Sequence, residues 1–416
     1  MPGEISPQPF DAFLASVASA TYEEARHLPG AAVESADAFD EMKAYLLDRY
    51  RDVDAVDSYV EADGQVADCV PEETHPAARR WGSLAAAPAE GPPQVPEPDG
   101  PTPPDPRSRG IAGTRPPSGE AARPLPAGTT SLYRTTLSTL CRFPNLATFS
   151  AKDWPAGPPG FASTARMDNL PRRYATGEQD LDCLGGSSRV NVWSPFIVPT
   201  FQGTFSQQWY SAGHGGTLLQ TVECGWHVDH TLYGDTAPHL FVFATRDNYE
   251  DGDSFYNLDH GVFQPVANPY VKPGAKLLAS QSGGTQIEYK MGFYLTDQRW
   301  WFYFDDQPIG CIPVSWFNGG PLTNGATRAK FGGEAASGLA LWPPMGSGQH
   351  ASAGFGRAAY QRAVAVNPAS GGAVYANLAD SGSVTGSCYS IEITNNSSSY
   401  DWGTYAFFGG PGGTPC

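Results

Sequence analysis

The stretch Thr221–Asp235, TVECGWHVDHTLYGD, contains the alternation that decides the fold. In an extended chain, successive side chains point to opposite faces. The residues on one face are mostly apolar: Val222, Cys224, Trp226 and Val228. Those on the other face are small or polar: Thr221, Glu223, Gly225 and His227. This period of two predicts a β-strand with one core face. It also places a carboxylate, Glu223, on the other face.

Similar runs of aromatic and β-branched residues follow along the C-terminal part of the chain. They are RVNVWSPFIV (Arg189–Val198), FSQQWYSAG (Phe205–Gly213), HLFVFATRD (His239–Asp247), TQIEYKMGFYLTD (Thr285–Asp297), RWWFYFDD (Arg299–Asp306) and CYSIEIT (Cys388–Thr394). Gly, Asn, Asp and Pro separate them, and no helical pattern intervenes, which is typical of an antiparallel sandwich or barrel. We therefore expect an all-β domain, an antiparallel β-sandwich, over residues 172–416.

The N-terminal part of the chain has a different texture. Apolar residues recur at helical spacing in two places: Phe10, Phe13, Leu14 and Val17, then Phe39, Met42, Leu46 and Tyr50. This spacing predicts two helices, the second capped by Ser35, and a short hairpin follows at Val56–Val70. We interpret residues 1–85 as a small helical region. A proline-rich stretch, 86–129, is typical of a disordered spacer, and 130–171 connects it to the sandwich.

Charge and cysteine content restrict the class of protein. The formal net charge of −17 argues against a nucleic-acid or anionic-membrane partner. The sequence contains no run of 18 apolar residues, so no membrane span is expected. The seven cysteines show no metal-binding spacing, so no metal site is expected. We predict a Cys388–Cys416 disulfide, and hence secretion. We also expect the protein to be a monomer. The start, MPGEISPQPFDAF, does not resemble a signal peptide, so export requires either a leader left off this sequence or another route.

A second carboxylate in an unusual setting is Glu334, in AKFGGEAAS (Ala329–Ser337). The two glycines before it weaken a strand unless another backbone, such as that of a peptide, must come close. Two glutamates on one sheet face suit acid hydrolysis, because one can activate water while the other, protonated, donates to the developing oxyanion. Taken alone, each glutamate in a strand is more often a solvent-facing residue, and Glu288 in another strand is expected at the surface.

From about Arg172 to Cys416 the chain resembles the neprosin family of glutamic peptidases. The motifs that carry the resemblance appear in the order RRYATG, RVNVW, FSQQW, TVECGW, LYGD, RWWFYF, FGGE, MGSG, GFGRAAY and DWGTYAFFGGPGG. In the N-terminal part, ADGQVADCVPEETHPAARRW (Ala62–Trp81) is similar to the family's activation segment. A plain accessory domain remains the alternative for this part.

The resemblance implies catalysis by Glu223 and Glu334, cleavage after proline, no cofactor, and synthesis as a zymogen. By analogy with fungal sandwich peptidases, Glu334 is expected to be the base and Glu223 the acid. A groove that holds an extended peptide implies substrate contacts, for which the candidates are Trp226, Trp300, Trp301, Gly332 and Gly333.

Two other classes of function fit the same residues. Paired carboxylates in an aromatic groove also serve glycoside hydrolases or lyases, and an aromatic sheet face without catalysis serves a carbohydrate- or peptide-binding module. A metal site at His227 and His230 is disfavoured, because on a strand these two side chains point to opposite faces.

Overall fold

The computed structural model describes residues 7–97, 104–112, 124–151, 171–215, 218–250, 254–382, 387–399, 401–414 and 416. The N-terminal region contains six helices and three strands within these ranges. They are α1 (Phe10–Ser19), α2 (Tyr22–Ala25), α3 (Ala36–Arg49), β1 (Asp57–Val60), β2 (Val66–Pro71), α4 (Pro76–Trp81), β3 (Thr129–Tyr133), α5 (Leu137–Leu140) and α6 (Leu146–Ser150). None of the helices in the described part of the chain has both the length and the apolar character that crossing a bilayer requires.

Both helices expected from apolar spacing are confirmed as α1 and α3. The apolar stripe of α1 packs against α3: the rings of Phe10 and Phe13 meet the ring of Tyr50 edge-on, with centroids 5.5 and 5.7 Å away. Ser35 caps α3, because its hydroxyl accepts the amide hydrogen of Ala38 at 3.1 Å. The expected hairpin is β1 with β2, which β3 extends to a three-stranded antiparallel sheet.

The C-terminal region is built from strands. They are β4 (Arg172–Asn191), β5 (Gln202–Ala212), β6 (Gln220–Asp229), β7 (His239–Thr245), β8 (Ser254–Tyr256), β9 (Gln264–Pro265), β10 (Glu288–Thr296), β11 (Arg299–Phe304), β12 (Gln307–Pro313), β13 (Ala326–Ser337), β14 (Ala359–Pro368), β15 (Val374–Tyr375), β16 (Ala379–Asp380), β17 (Ser390–Thr394) and β18 (Tyr405–Gly409), with one short helix, α7 (His230–Tyr233). All pairings between these strands are antiparallel, so the expected all-β fold is confirmed.

One long curled sheet forms both layers of the sandwich. Its strands run in the order β8-β7-β6-β5-β13-β4-β10-β11-β12-β9. In addition, β14 and β16 pair with β4, β15 and β18 pair with β14, and β17 pairs with β18. The 20-residue strand β4 joins the layers: its first half pairs with β13, and its second half pairs with β10 and β14. The layers therefore share β4 rather than being separate sheets.

The core lies between the two layers. Trp226 on β6 donates from its indole nitrogen to the Asn191 carbonyl at 2.9 Å, and Gln208 on β5 donates to the Met291 carbonyl at 2.9 Å. Every residue of the expected core face of β6 is fully buried: Val222, Cys224, Trp226 and Val228. The opposite face of β6 is buried as well, which the alternation did not predict, because other parts of the chain cover it.

The proline-rich stretch is not a free spacer where the structure describes it. The Gln94 side chain contacts Lys290 and Asp306 on the C-terminal domain, and a short 3-10 helix at Pro106–Gly110 packs further along the same domain. The expectation of disorder is therefore wrong for these parts, whereas 98–103 and 113–123 lie outside the described residues. The segment is anchored by individual side chains. For this reason the sequence contains no apolar periodicity from which its docking could be predicted.

Two further expectations concern particular side chains. The Cys388–Cys416 disulfide is confirmed and links β17 to the C-terminus. The surface position expected for Glu288 is wrong: its side chain is buried, and Arg362 binds it through two hydrogen bonds of 2.6 and 2.9 Å. A charged group at this depth requires such a partner, because an unpaired buried carboxylate loses its hydration.

Candidate active site

The strand register brings Glu223 and Glu334 to the same face of the sheet. Glu223 on β6 lies opposite Trp209 on β5, and Glu334 on β13 lies opposite Phe205 on β5. Residues that oppose each other in an antiparallel pair share a face, and Trp209 and Phe205 are four positions apart, so they share one too. Two carboxylates distant in sequence are thus separated by a single strand.

Nine positions on β13, β5 and β6 form a square patch, which we call the glutamate patch. Its three rows are Lys330–Trp209–Glu223, Gly332–Gln207–Gly225 and Glu334–Phe205–His227. The glutamates occupy opposite corners, and Gln207 is the midpoint between them. The two residues beside Gln207 are glycines, so no side chain stands on either side of it.

The spacing of the patch leaves room between the two carboxyl groups. On a regular sheet the two Cα atoms are about 10 Å apart across the strands and about 13 Å apart along them. Because the residues beside Gln207 are glycines, no side chain from that row fills the space between the two glutamates. Gly332 is required there for a second reason: its φ of +143° is one that other residues rarely adopt.

Glu334 is bound by two nitrogen donors. The guanidinium of Arg172, the first residue of β4, contacts one carboxyl oxygen, and the side-chain amide of Gln207 donates to the other. The guanidinium and the amide NH2 group are hydrogen-bond donors only, so both oxygens of the Glu334 carboxyl group must act as acceptors. This environment favours the ionised form of Glu334.

Glu223 is bound by two hydroxyl groups. Thr221 and Tyr249 donate to the same carboxyl oxygen at 2.9 and 2.7 Å. Tyr249 comes from the loop after β7 and stacks on Phe243, with ring centroids 6.0 Å apart. The Tyr249 residue is 39% exposed, but desolvation of its inward-pointing hydroxyl, with the neighbouring Glu223, raises the pKa of Tyr249 well above its ordinary value, so the phenol keeps its proton.

Neither glutamate is open to solvent in this chain. Glu223 is 0% exposed and Glu334 is 1% exposed. Both nevertheless stand on the face of the sheet that points away from the core between the layers. A substrate therefore reaches them only after whatever covers this face has moved. Among the residues that the structure describes, no open groove of the kind that the resemblance implies surrounds the two glutamates.

The three tryptophans expected to contact substrate do not lie in the patch, and this expectation is corrected. Trp226 points to the opposite face of β6, and the Trp300 ring, also buried, stacks on Tyr210 between the layers with a 6.4 Å centroid distance. Trp301 is buried in a separate apolar cluster with Ala85. Each ring is fixed by core packing, which is the more frequent position of a strand tryptophan.

The two glycines before Glu334 point to opposite faces of the sheet. Gly332 lies in the centre row of the patch, whereas Gly333 points into the core, where a Cβ atom would stand 2.5 Å from the sulfur of Met345. Gly333 therefore provides space for packing, and substrate contact by this residue is corrected.

Sequence reasoning did not single out four residues of the site: Arg172, Gln207, Trp209 and Tyr249. Gln207 and Trp209 stand within FSQQW, whose period of two indicates that they share a face, but their place beside the glutamates depends on the register. Tyr249 comes from a loop and has a φ of +63°, which no sequence pattern announces.

His227, on this face, has a structural partner, since one of its ring nitrogens and the hydroxyl of Tyr233 are 2.8 Å apart. His230 is the first residue of α7. Within the described ranges, no group of three or more His, Cys, Asp or Glu side chains is arranged to hold a metal ion.

Comparison with solved structures gives weak similarities to β-sandwich proteins. The chain is similar to scytalido-glutamic peptidase with a transition-state analog inhibitor, with TM-score 0.33 and 11% identity, over 58% of this chain and 99% of that one. SCP-B, a member of the Eqolisin family in complex with the tripeptide Ala-Ile-His, gives 0.28 and 8% over 58% and 99%. Sheep galectin-11 in complex with glycerol gives 0.21 and 12% over 41% and 96%.

Comparison with protein families gives a clear match. The profile of the Neprosin family matches residues 201–411, which is 211 of the 416 residues and includes both Glu223 and Glu334. Because the match covers more than half of the chain, the protein belongs to the neprosin family.

Proposed function

We propose that the protein is an acid-acting glutamic endopeptidase whose catalytic groups are Glu223 and Glu334. The observation that carries the proposal is the placement of these two side chains at opposite corners of one sheet patch, with the gap above Gln207 between them. Membership of the neprosin family supports a peptidase of the glutamic type.

The hydrogen-bond partners support different roles for the two glutamates. Gln207 and Arg172 donate to Glu334, which suits a carboxylate that takes a proton from water. The hydroxyls around Glu223 can accept as well as donate, so they tolerate a carboxylic acid there. Glu334 is then the base, and protonated Glu223 donates to the oxygen of the cleaved carbonyl as it becomes negative.

The burial of both glutamates supports synthesis as a zymogen. The N-terminal region is held on the C-terminal domain by Arg49, which donates to the Leu258 carbonyl at 2.9 Å and pairs with Asp259 at 3.7 Å. Burial, helped by Arg49 and Arg80, lowers the pKa of His260 in this interface to about 4.

The depressed pKa of His260 makes the interface sensitive to acid. The folded state keeps this histidine neutral, whereas the unfolded chain protonates it near its ordinary pKa of 6.5. Its contribution to stability is therefore complete above pH 6.5 and is lost as the pH falls towards 4.

The proposed substrate is an extended peptide that lies across the glycine row, with proline before the cleaved bond as the family resemblance implies. The backbones of β5, β6 and β13 are already paired on both sides, so the peptide is held over the patch by side-chain contacts, to which Trp209 and Phe205 add apolar surface. The disulfide supports secretion.

Incubating the full chain with a proline-containing peptide at pH 4 and pH 7 tests the function, with mass spectrometry of all products. We expect cleavage at pH 4 on the carboxyl side of proline and little or none at pH 7. The same spectra report cuts in the chain itself, which a zymogen should show before the peptide is consumed. A soluble oligosaccharide in a parallel reaction tests glycoside hydrolysis. Intact peptide at pH 4, after proteolytic removal of the N-terminal region, would contradict the proposal and leave a binding module.

A further inference from the structure

Residues 104–112 of the proline-rich stretch occupy a site on the other layer of the sandwich. The 3-10 helix Pro106–Gly110 holds Arg107 over the indole of Trp402, with the guanidinium carbon 3.7 Å from the ring centroid. Tyr405 stands beside it, with its ring centroid 4.8 Å from the same carbon. A guanidinium this close to a buried indole makes a cation–π contact.

Polar groups on both sides of Arg107 fix the segment further. The Asp105 amide donates to the Asp401 carboxylate at 3.0 Å, and the Ser108 hydroxyl contacts the same carboxylate. The Ser399 hydroxyl donates to Asp105 at 3.0 Å. The receiving side chains, which we call the Trp402 cage, are Ser399, Asp401, Trp402 and Tyr405.

The end of the segment pairs with the domain backbone through a single β-bridge. Gln286 donates its amide hydrogen to the Gly110 carbonyl at 3.0 Å, and Ala112 donates to the Gln286 carbonyl at 2.9 Å, which makes a short parallel bridge at Ile111. An anchored side chain next to backbone pairing is a recurring mode of peptide recognition.

The cage is supported by the domain from behind. Arg362 approaches the indole of Trp402, with its guanidinium carbon 5.5 Å from the ring centroid, and donates to the Asp401 carbonyl. Arg362 is itself fixed by the buried Glu288. A receiving surface held by buried ionic groups is preorganised, which reduces the entropy that a ligand must lose on binding.

We propose that the Trp402 cage is a second peptide-binding site, specific for a segment with arginine two residues after aspartate. In this chain residues 105–111 occupy it in cis, and a segment of the same chemistry on another molecule can occupy it in trans once the cis segment has left. Asp105 contributes to specificity by binding Arg107 through two hydrogen bonds of 2.8 and 2.9 Å, which shapes the ligand before it docks. The site is independent of the glutamate patch, and the proposal does not rest on the proposed function.

Binding in trans requires that the cis segment be removed. A tethered ligand acts at an effective concentration in the millimolar range, so it excludes a free peptide of equal affinity. The test therefore uses the full chain with 105–111 replaced by a Gly–Ser sequence of equal length. The full chain with Arg107→Ala is a milder alternative, in case the replacement disturbs folding.

The probe is a fluorescein-labelled peptide of residues 104–112, PDPRSRGIA, measured by anisotropy at pH 7 and checked by mass spectrometry for integrity. We expect saturable binding to the opened chains, and binding at least about tenfold weaker to the wild-type chain, whose cage is occupied. A full chain with Arg109→Ala is the matched control, since Arg109 is exposed two residues along the same helix, and it should behave as wild type.

Two substitutions locate the binding. The first is Asp401→Ala in the opened chain, and the second is Ala in the peptide at the position of Arg107. Each should weaken binding by about tenfold or more, as expected for loss of a charged partner in a desolvated site. No saturable binding to either opened chain up to 1 mM peptide would overturn the proposal, as would equal binding to opened and wild-type chains. These outcomes do not depend on peptidase activity.

Discussion

Replacing Glu334 with glutamine should lower kcat for peptide hydrolysis at acid pH by roughly 10³-fold or more, because the amide cannot take a proton from water. Glu223→Gln should have an effect of similar size, since an amide is a weaker donor to the oxyanion than a protonated carboxyl group. KM should change little in both variants, because the shape of the site is kept. The measurement is kcat and KM on a proline-containing peptide with matured enzyme at pH 4.

Glu392→Gln provides the matched control for this prediction. Glu392 is an exposed carboxylate on β17, in the other layer, and its replacement should leave kcat unchanged. The melting temperature of each variant shows whether a loss of activity reflects loss of the fold. Wild-type kcat in either Glu223→Gln or Glu334→Gln would exclude that residue from catalysis.

Arg362→Ala should lower the free energy of unfolding by about 3–5 kcal/mol, because it leaves the buried Glu288 without its main partner. The Glu288 side chain is 2% exposed; Arg362 donates two hydrogen bonds to it, at 2.6 and 2.9 Å, and the Tyr360 hydroxyl donates a third at 2.9 Å. Arg189, at 3.7 Å and more exposed, is too distant to replace them. Denaturant unfolding at neutral pH measures the loss as a lower midpoint.

The contrast with a surface pair makes this prediction specific. Arg328 pairs with Asp180 at 2.5 Å, but the Asp180 side chain is 68% exposed. Arg328→Ala should therefore cost no more than about 1 kcal/mol. Equal losses for the two variants would show that burial does not decide the strength of these pairs.

The fold was predictable where the chain repeats one local pattern. Alternating aromatic and β-branched residues announced β5, β6, β7, β10 and β11. The first half of β4 was missed because RRYATGEQDLDCLGG lacks that alternation, and its pairing with β13 fixes it as a strand. The docking of the proline-rich segment was missed because it depends on single contacts, such as Arg107 over Trp402.

The candidate site was predictable only in its two carboxylates. Glu223 and Glu334 stand out because each interrupts a strand among glycines or small residues. Their neighbours depend on the pairing register of β5, β6 and β13. This register places Gln207 midway between the two glutamates, and Trp226 lies on the core face. Burial of the whole face depends on how distant segments pack, and local periodicity does not contain that information.

A double-substitution cycle tests the central claim most directly, by comparing kcat/KM of Glu223→Gln, Glu334→Gln and the double variant with that of the wild type. If the two carboxyl groups act on one water and one carbonyl, kcat/KM of the double variant should be no lower than that of the less active single variant. The reason is that residues that work as a unit show non-additive losses of activity. Losses that multiply would show that the two glutamates act independently and would contradict the account.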